Sequence, residues 1–99
     1  AVAKAYILEE LAKDNMIKMR PILIKTLGDS SKKMRESVVK LLSRDVEAAE
    51  DVALELHNKK KIVRENVMKL LIEYKIEKYT ELVQEALQDK KNASFVEKF

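Results

Sequence analysis

The sequence predicts an all-α fold: an α-solenoid, or superhelix, of stacked antiparallel helical hairpins with about seven helices. Three observations carry that expectation. The stretch Met34-Arg35-Glu36-Ser37-Val38-Val39-Lys40-Leu41-Leu42 recurs as Val63-Arg64-Glu65-Asn66-Val67-Met68-Lys69-Leu70-Leu71, 29 residues further on. Repetition at such a period marks stacked supersecondary units, each too small to bury its own apolar face. The chain holds one Gly and one Pro in 99 residues, which leaves room for helices and short turns and little else. Apolar residues then fall at helical spacing along the whole length.

Residues 1–15 read as a first helix, with Tyr6, Ile7, Leu8, Leu11 and Ala12 as its apolar stripe. Asp14 and Asn15 break it, and Asn15 offers an N-cap for a second helix over 16–27. Met19, Leu23, Ile24 and Leu27 point inward there, Pro21 sits near the start, and Gly28 ends the segment. Asp29, Ser30 and Ser31 form a turn and offer caps to a helix over 32–44, whose stripe is Met34, Val38, Leu41 and Leu42. Asp45 is placed to cap a helix over 46–57, with Ala48, Ala49, Val52, Ala53 and Leu56 inward. A helix over 62–74 buries Val63, Val67, Leu70, Leu71 and Tyr74. The next, over 76–88, buries Tyr79, Leu82, Val83, Ala86 and Leu87. Ser94-Phe95-Val96-Glu97 reads as a capping box opening one more helix.

The expected organisation is a single domain over 1–99: a helix of a preceding repeat over 1–16, repeats over 17–45 and 46–75, and a partial repeat over 76–99. Ile17, Val46 and Ile76 stand at equivalent starts, and the one extra residue falls in the loop between Leu71 and Ile76. The chain opens on Ala1, which suggests a piece of a longer protein. Neither the stripe of residues 1–12 nor Phe95, Val96 and Phe99 resembles the polar cap a repeat array requires. Continuation into a larger chain, or self-association through an end, is therefore expected.

The turn and the helix after it resemble HEAT repeats, in particular their short-period relatives. The residues that carry the likeness are Leu27, Asp29, Met34 and Arg35 in one unit, and Leu56, Asn58, Val63 and Arg64 in the next. Pro21 also falls where that family often has a proline in the first helix of a unit. The likeness spans roughly residues 17–91. It departs from the family in a period shorter than the usual ~40–47 residues, and in the last unit, where Ser94 and Phe95 occupy the places of the aliphatic residue and the arginine. The Trp-Leu-Gly-Tyr and Thr-Pro-Leu-His signatures of tetratricopeptide and ankyrin repeats are absent.

The resemblance implies a role for Asp29, Arg35, Asn58 and Arg64 as a ladder of hydrogen bonds linking a repeat to its neighbour. On that reading Arg64 reaches Asn58 or the turn near Asp29, and its loss costs roughly 1–3 kcal/mol. The resemblance also implies a non-catalytic scaffold that binds another protein or peptide, the main use of solenoid surfaces.

Charge offers an alternative. Lys32 and Lys33, then Lys59, Lys60 and Lys61, then Lys90 and Lys91 fall in equivalent turns, which stacking would align into one basic edge for nucleic acid or another polyanion. The excess of 20 Lys and Arg over 17 Asp and Glu is only +3, and Glu47, Glu50, Asp51 and Glu81 offset the edge. Binding to duplex tighter than about 10 μM at physiological salt, roughly −7 kcal/mol, is not expected.

No enzymatic activity, cofactor or metal is expected. His57, the one histidine, falls in a turn without a fixed partner for general-base work. Glu47, Glu50 and Asp51 share a helix but do not converge as metal ligands do. Tyr6, Tyr74 and Tyr79 lie on apolar stripes and read as core. Phosphate loops, nucleophile elbows and zinc spacings are absent. With no cysteine, no secretory leader and no apolar run near the ~18 residues of a membrane span, a cytoplasmic protein is expected.

Overall fold

A computed structural model describes residues 2–99. Helix accounts for 77% of it, with no strand among the described residues, so the all-α class holds. Five α-helices and three 3-10 segments are present among the described residues, where the sequence predicts about seven helices. The chain divides into two units, Ala1–Ala48 and Ala49–Phe99.

In the first unit, helix α1 runs Val2–Lys25 and is broken by non-helical angles at Asn15 (φ −134°, ψ 32°). The two helices expected here are thus one kinked helix. Asn15 does not act as the expected cap of a second helix: its amide donates backward to the Leu11 carbonyl at 3.2 Å, finishing the first segment. Pro21 also departs from the expected first-turn position. It lies inside the helix, six residues past the break, and its ring nitrogen has no hydrogen to give the Ile17 carbonyl. Of the predicted stripe, Leu8 and Ala12 are buried, but Tyr6, Ile7 and Leu11 are 62%, 56% and 50% exposed.

A 3-10 turn at Thr26–Gly28 tightens the end of α1, with the Asp29 N–H donating to the Thr26 carbonyl at 3.1 Å. Gly28 keeps a negative φ, so it ends the segment without the left-handed cap its type suggests. Helix α2, Lys32–Ser43, follows as predicted. Ser31 caps it, its hydroxyl accepting from the Met34 N–H at 3.3 Å. Val38 and Leu42 are fully buried where α2 packs on α1. Each such side chain contributes about 1.5–3 kcal/mol by leaving water. A two-pronged ion pair ties the ends: Arg20 Nε and Nη2 donate to the Asp45 carboxylate at 2.9 and 3.1 Å.

The helix expected over 46–57 is reduced to a 3-10 turn at Val46–Ala48, the five-residue helix α3 at Ala49–Ala53, and turns. The backbone there tightens: Glu55, Leu56 and Asn58 N–H groups donate to carbonyls three residues back. Helix α4, Lys61–Glu73, is the centre of the second unit. Val63, Val67, Met68, Leu70 and Leu71 are buried where it meets α3 and helix α5, Glu77–Ala86. Tyr79, Val83 and Ala86 are buried on α5, while Leu82, predicted inward, stays 37% exposed. The loop between α4 and α5 holds the extra residue of the repeat, and there Lys75 takes a positive φ of 57°.

The last element is a 3-10 helix, Lys90–Phe95. The capping box predicted at Ser94 does not form. Asp89 opens the segment instead, its carboxylate accepting from the Lys91 N–H at 3.1 Å, and Ser94 lies exposed within it.

Candidate lysine edge and the arginine ladder

One turn geometry is built three times from three sequences. The Asp29 carboxylate accepts from the Ser31 N–H at 2.9 Å, the Asn58 side-chain Oδ1 from the Lys60 N–H at 2.8 Å, and the Asp89 carboxylate from the Lys91 N–H at 3.1 Å. Each is an Asx turn, in which a short side chain accepts from the backbone N–H two residues on, just ahead of a helix. That chemistry explains why only Asp or Asn stands at these positions. The residue two places on, Ser31 or Lys60, is the N-cap in the first two turns.

Four residues beyond the cap stands the arginine. Arg35 Nη1 donates to the Asp29 carbonyl at 2.7 Å, inside its own turn. Arg64 does the same with the carbonyls of Asn58 and Lys59, at 2.8 and 3.0 Å. It also reaches forward: Nε donates to Asn92 Oδ1 at 2.8 Å and Nη2 to the Lys91 carbonyl at 3.3 Å. Arg64 thus reaches Asn58, as expected, and within the second unit also links that turn to the one at 89–92. Arg64 is 5% exposed, and its guanidinium donates to four neutral oxygens. Its charge is solvated by dipoles.

Asn92 is the Arg64 partner that the sequence reading missed. It is fully buried, with its amide donating to the Ala86 carbonyl at 2.8 Å while its oxygen receives Arg64. It stands where Lys32 and Lys61 stand in the earlier turns, and that break in the lysine column was the available signal. Phe95 occupies the arginine position of the third turn and is 1% exposed, with the Lys61 and Lys98 ammoniums 5.6 and 5.9 Å from its ring centre.

All seven candidate lysines are exposed. Lys32 and Lys33 belong to the first unit, and Lys59, Lys60, Lys61, Lys90 and Lys91 to the second. Within the second unit, one guanidinium holds the carbonyls of both Lys59 and Lys91, so its two lysine groups share a seam. Lys91 stands 4.0 Å from Asp89 and Lys32 3.9 Å from Glu36, each a loose surface pair worth little.

His57 is exposed in the turn before Asn58. Glu47, Glu50 and Asp51 are exposed, and no metal-holding acidic group is found among the described residues. Tyr74 and Tyr79 are core residues at 9% and 7% exposure, whereas Tyr6 is not. Among the described residues no helix is long and apolar enough to cross a membrane. Neither the Arg20–Asp45 pair nor the exposed face of α1 was foreseen. Compared with known proteins, the chain matches no family model, no curated protein and no solved structure.

Proposed function

We propose that this chain is a non-catalytic protein-interaction module built from HEAT-like helical-hairpin repeats of the α-solenoid type. The observation that carries the binding role is the exposed apolar row on α1. Tyr6, Ile7 and Leu11 lie at helical spacing and are each half exposed or more. Isolated exposed apolar side chains are ordinary, but a contiguous row marks a surface that another protein covers. An aromatic and two aliphatic side chains are also the anchors that protein interfaces favour. The repeat architecture is supported by the threefold Asx turn and by Arg64, which joins one turn to the next as a repeat ladder would.

The test is affinity capture from a native extract with the wild-type chain and an Ile7→Asp/Leu11→Asp variant. A partner retained by the wild type and lost by the variant is expected. Equal recovery by both, or none by either, would overturn the reading.

A further inference from the structure

We infer that the seam between turns 58–61 and 89–92 binds the phosphodiester backbone of nucleic acid. The site is separate from the apolar row on α1 and does not depend on it. Arg64 holds the carbonyls of Lys59 and Lys91, which brings together the two turns that carry Lys59, Lys60, Lys61, Lys90 and Lys91, all five of them exposed. Beneath them the Arg64 charge is buried among neutral oxygens, and arginine does not lose its proton. Five lysines and Arg64 thus belong to one seam, against the single carboxylate of Asp89, 4.0 Å from Lys91.

The chain keeps this charge against its own local interest. Lys60 is the N-cap of α4, with φ −79° and ψ 124°. Ser31 caps α2 with nearly the same angles, φ −84° and ψ 122°, and its hydroxyl satisfies a helix N–H. Lysine supplies no such acceptor, and a cation at a helix N-terminus opposes the dipole. A local rule broken without a structural gain points to a functional site.

The chemistry favours phosphate over an acidic protein surface. Lysine is depleted in protein–protein interfaces, whereas flexible point charges suit phosphates and carry no sequence information. Phe95 and Tyr79 are buried, so neither offers a face on which an unpaired base could stack. Duplex, with twice the charge per unit length of one strand, is therefore the better ligand. With a whole-chain charge of only +3, the affinity stays modest and salt sets it.

The experiment is fluorescence anisotropy of a labelled 20-base-pair duplex, titrated with the protein over a salt series. Saturable binding at low salt is expected, with a log–log salt slope near −4.5 for five contacts at about 0.9 each. At physiological salt the dissociation constant should exceed about 10 μM. Two unrelated sequences should bind alike, and a single strand of equal length more weakly. The Lys59→Gln/Lys60→Gln/Lys90→Gln/Lys91→Gln variant should lose binding by about a hundredfold or more. The matching four-arginine variant should keep it, and a Lys25→Gln/Lys40→Gln control should not change it. Circular dichroism melting checks that each variant is folded. A glutamine variant that binds like wild type would overturn the proposal. So would a slope shallower than about −1 in the wild-type protein, or a polyglutamate peptide that competes as well per charge as the duplex.

Discussion

The Arg64 guanidinium donates through Nε to the Asn92 side chain at 2.8 Å, and both residues are buried, 28 positions apart in sequence. Removing either partner strands the other. Arg64→Ala should lower unfolding free energy by roughly 1–3 kcal/mol in urea denaturation, and Asn92→Ala by a similar amount. The double variant should fall short of the sum, because each single change already forfeits the shared bond. Additive losses, or a change below about 0.5 kcal/mol for Arg64→Ala, would place the arginine outside the load path.

Arg20 and Asp45 form the corresponding long-range tie in the first unit, with side chains only 15% and 12% exposed. Asp45→Asn keeps the shape and removes the charge. It should cost about 1–2 kcal/mol, more than an exposed pair would. Raising salt should narrow the gap between wild type and variant. An unchanged denaturation midpoint would show that the pair is neutral to stability.

Apolar spacing located the buried side of a segment better than it fixed the backbone path. Over the thirteen residues of α4 the apolar period is unambiguous, and Val63, Val67, Leu70 and Leu71 are buried as expected. The 46–57 segment is only one residue shorter and has an equally helical apolar spacing at 49, 52 and 56, yet the chain tightens there into 3-10 bonds and turns around the five-residue α3. A stripe also says which side of a helix is apolar, not whether anything covers it; hence Tyr6, Ile7 and Leu11. At the last turn, Asp89 and Ser94 are both good caps, and the buried Asn92 decides for the earlier one. Arg64 was visible because it repeats. Asn92 was hidden because it does not.

The cap of α4 offers a way to separate stability from binding. Lys60→Ser should give α4 the hydroxyl acceptor that Ser31 gives α2, raising stability by about 0.5–1 kcal/mol. The same change removes one ammonium from the seam. Duplex affinity at low salt should drop several-fold, with the salt slope shallower by about 1. Thermal melting and anisotropy on one protein sample check both directions. A variant that melts lower would show that the lysine is not replaceable as a cap.

Lys75 has a φ of 57°, where a side chain crowds the backbone. Lys75→Gly should therefore stabilise the second unit by about 0.5–1 kcal/mol, and Lys75→Val should destabilise it, since branching at Cβ worsens the crowding. Chemical denaturation of the two variants decides the point. A glycine variant weaker than wild type would mean that the lysine side chain makes a contact of greater worth.

The three Asx turns have a consequence for engineering. Each is fixed by one side chain and the backbone two residues on, so its conformation is encoded locally. A locally encoded joint is portable. Residues 29–31 and 58–60 should exchange places without disturbing the helices they start, which makes them natural crossover points for chimeras. The charge each joint displays can then be rewritten, two serines for two lysines, as a setting independent of the architecture that carries it.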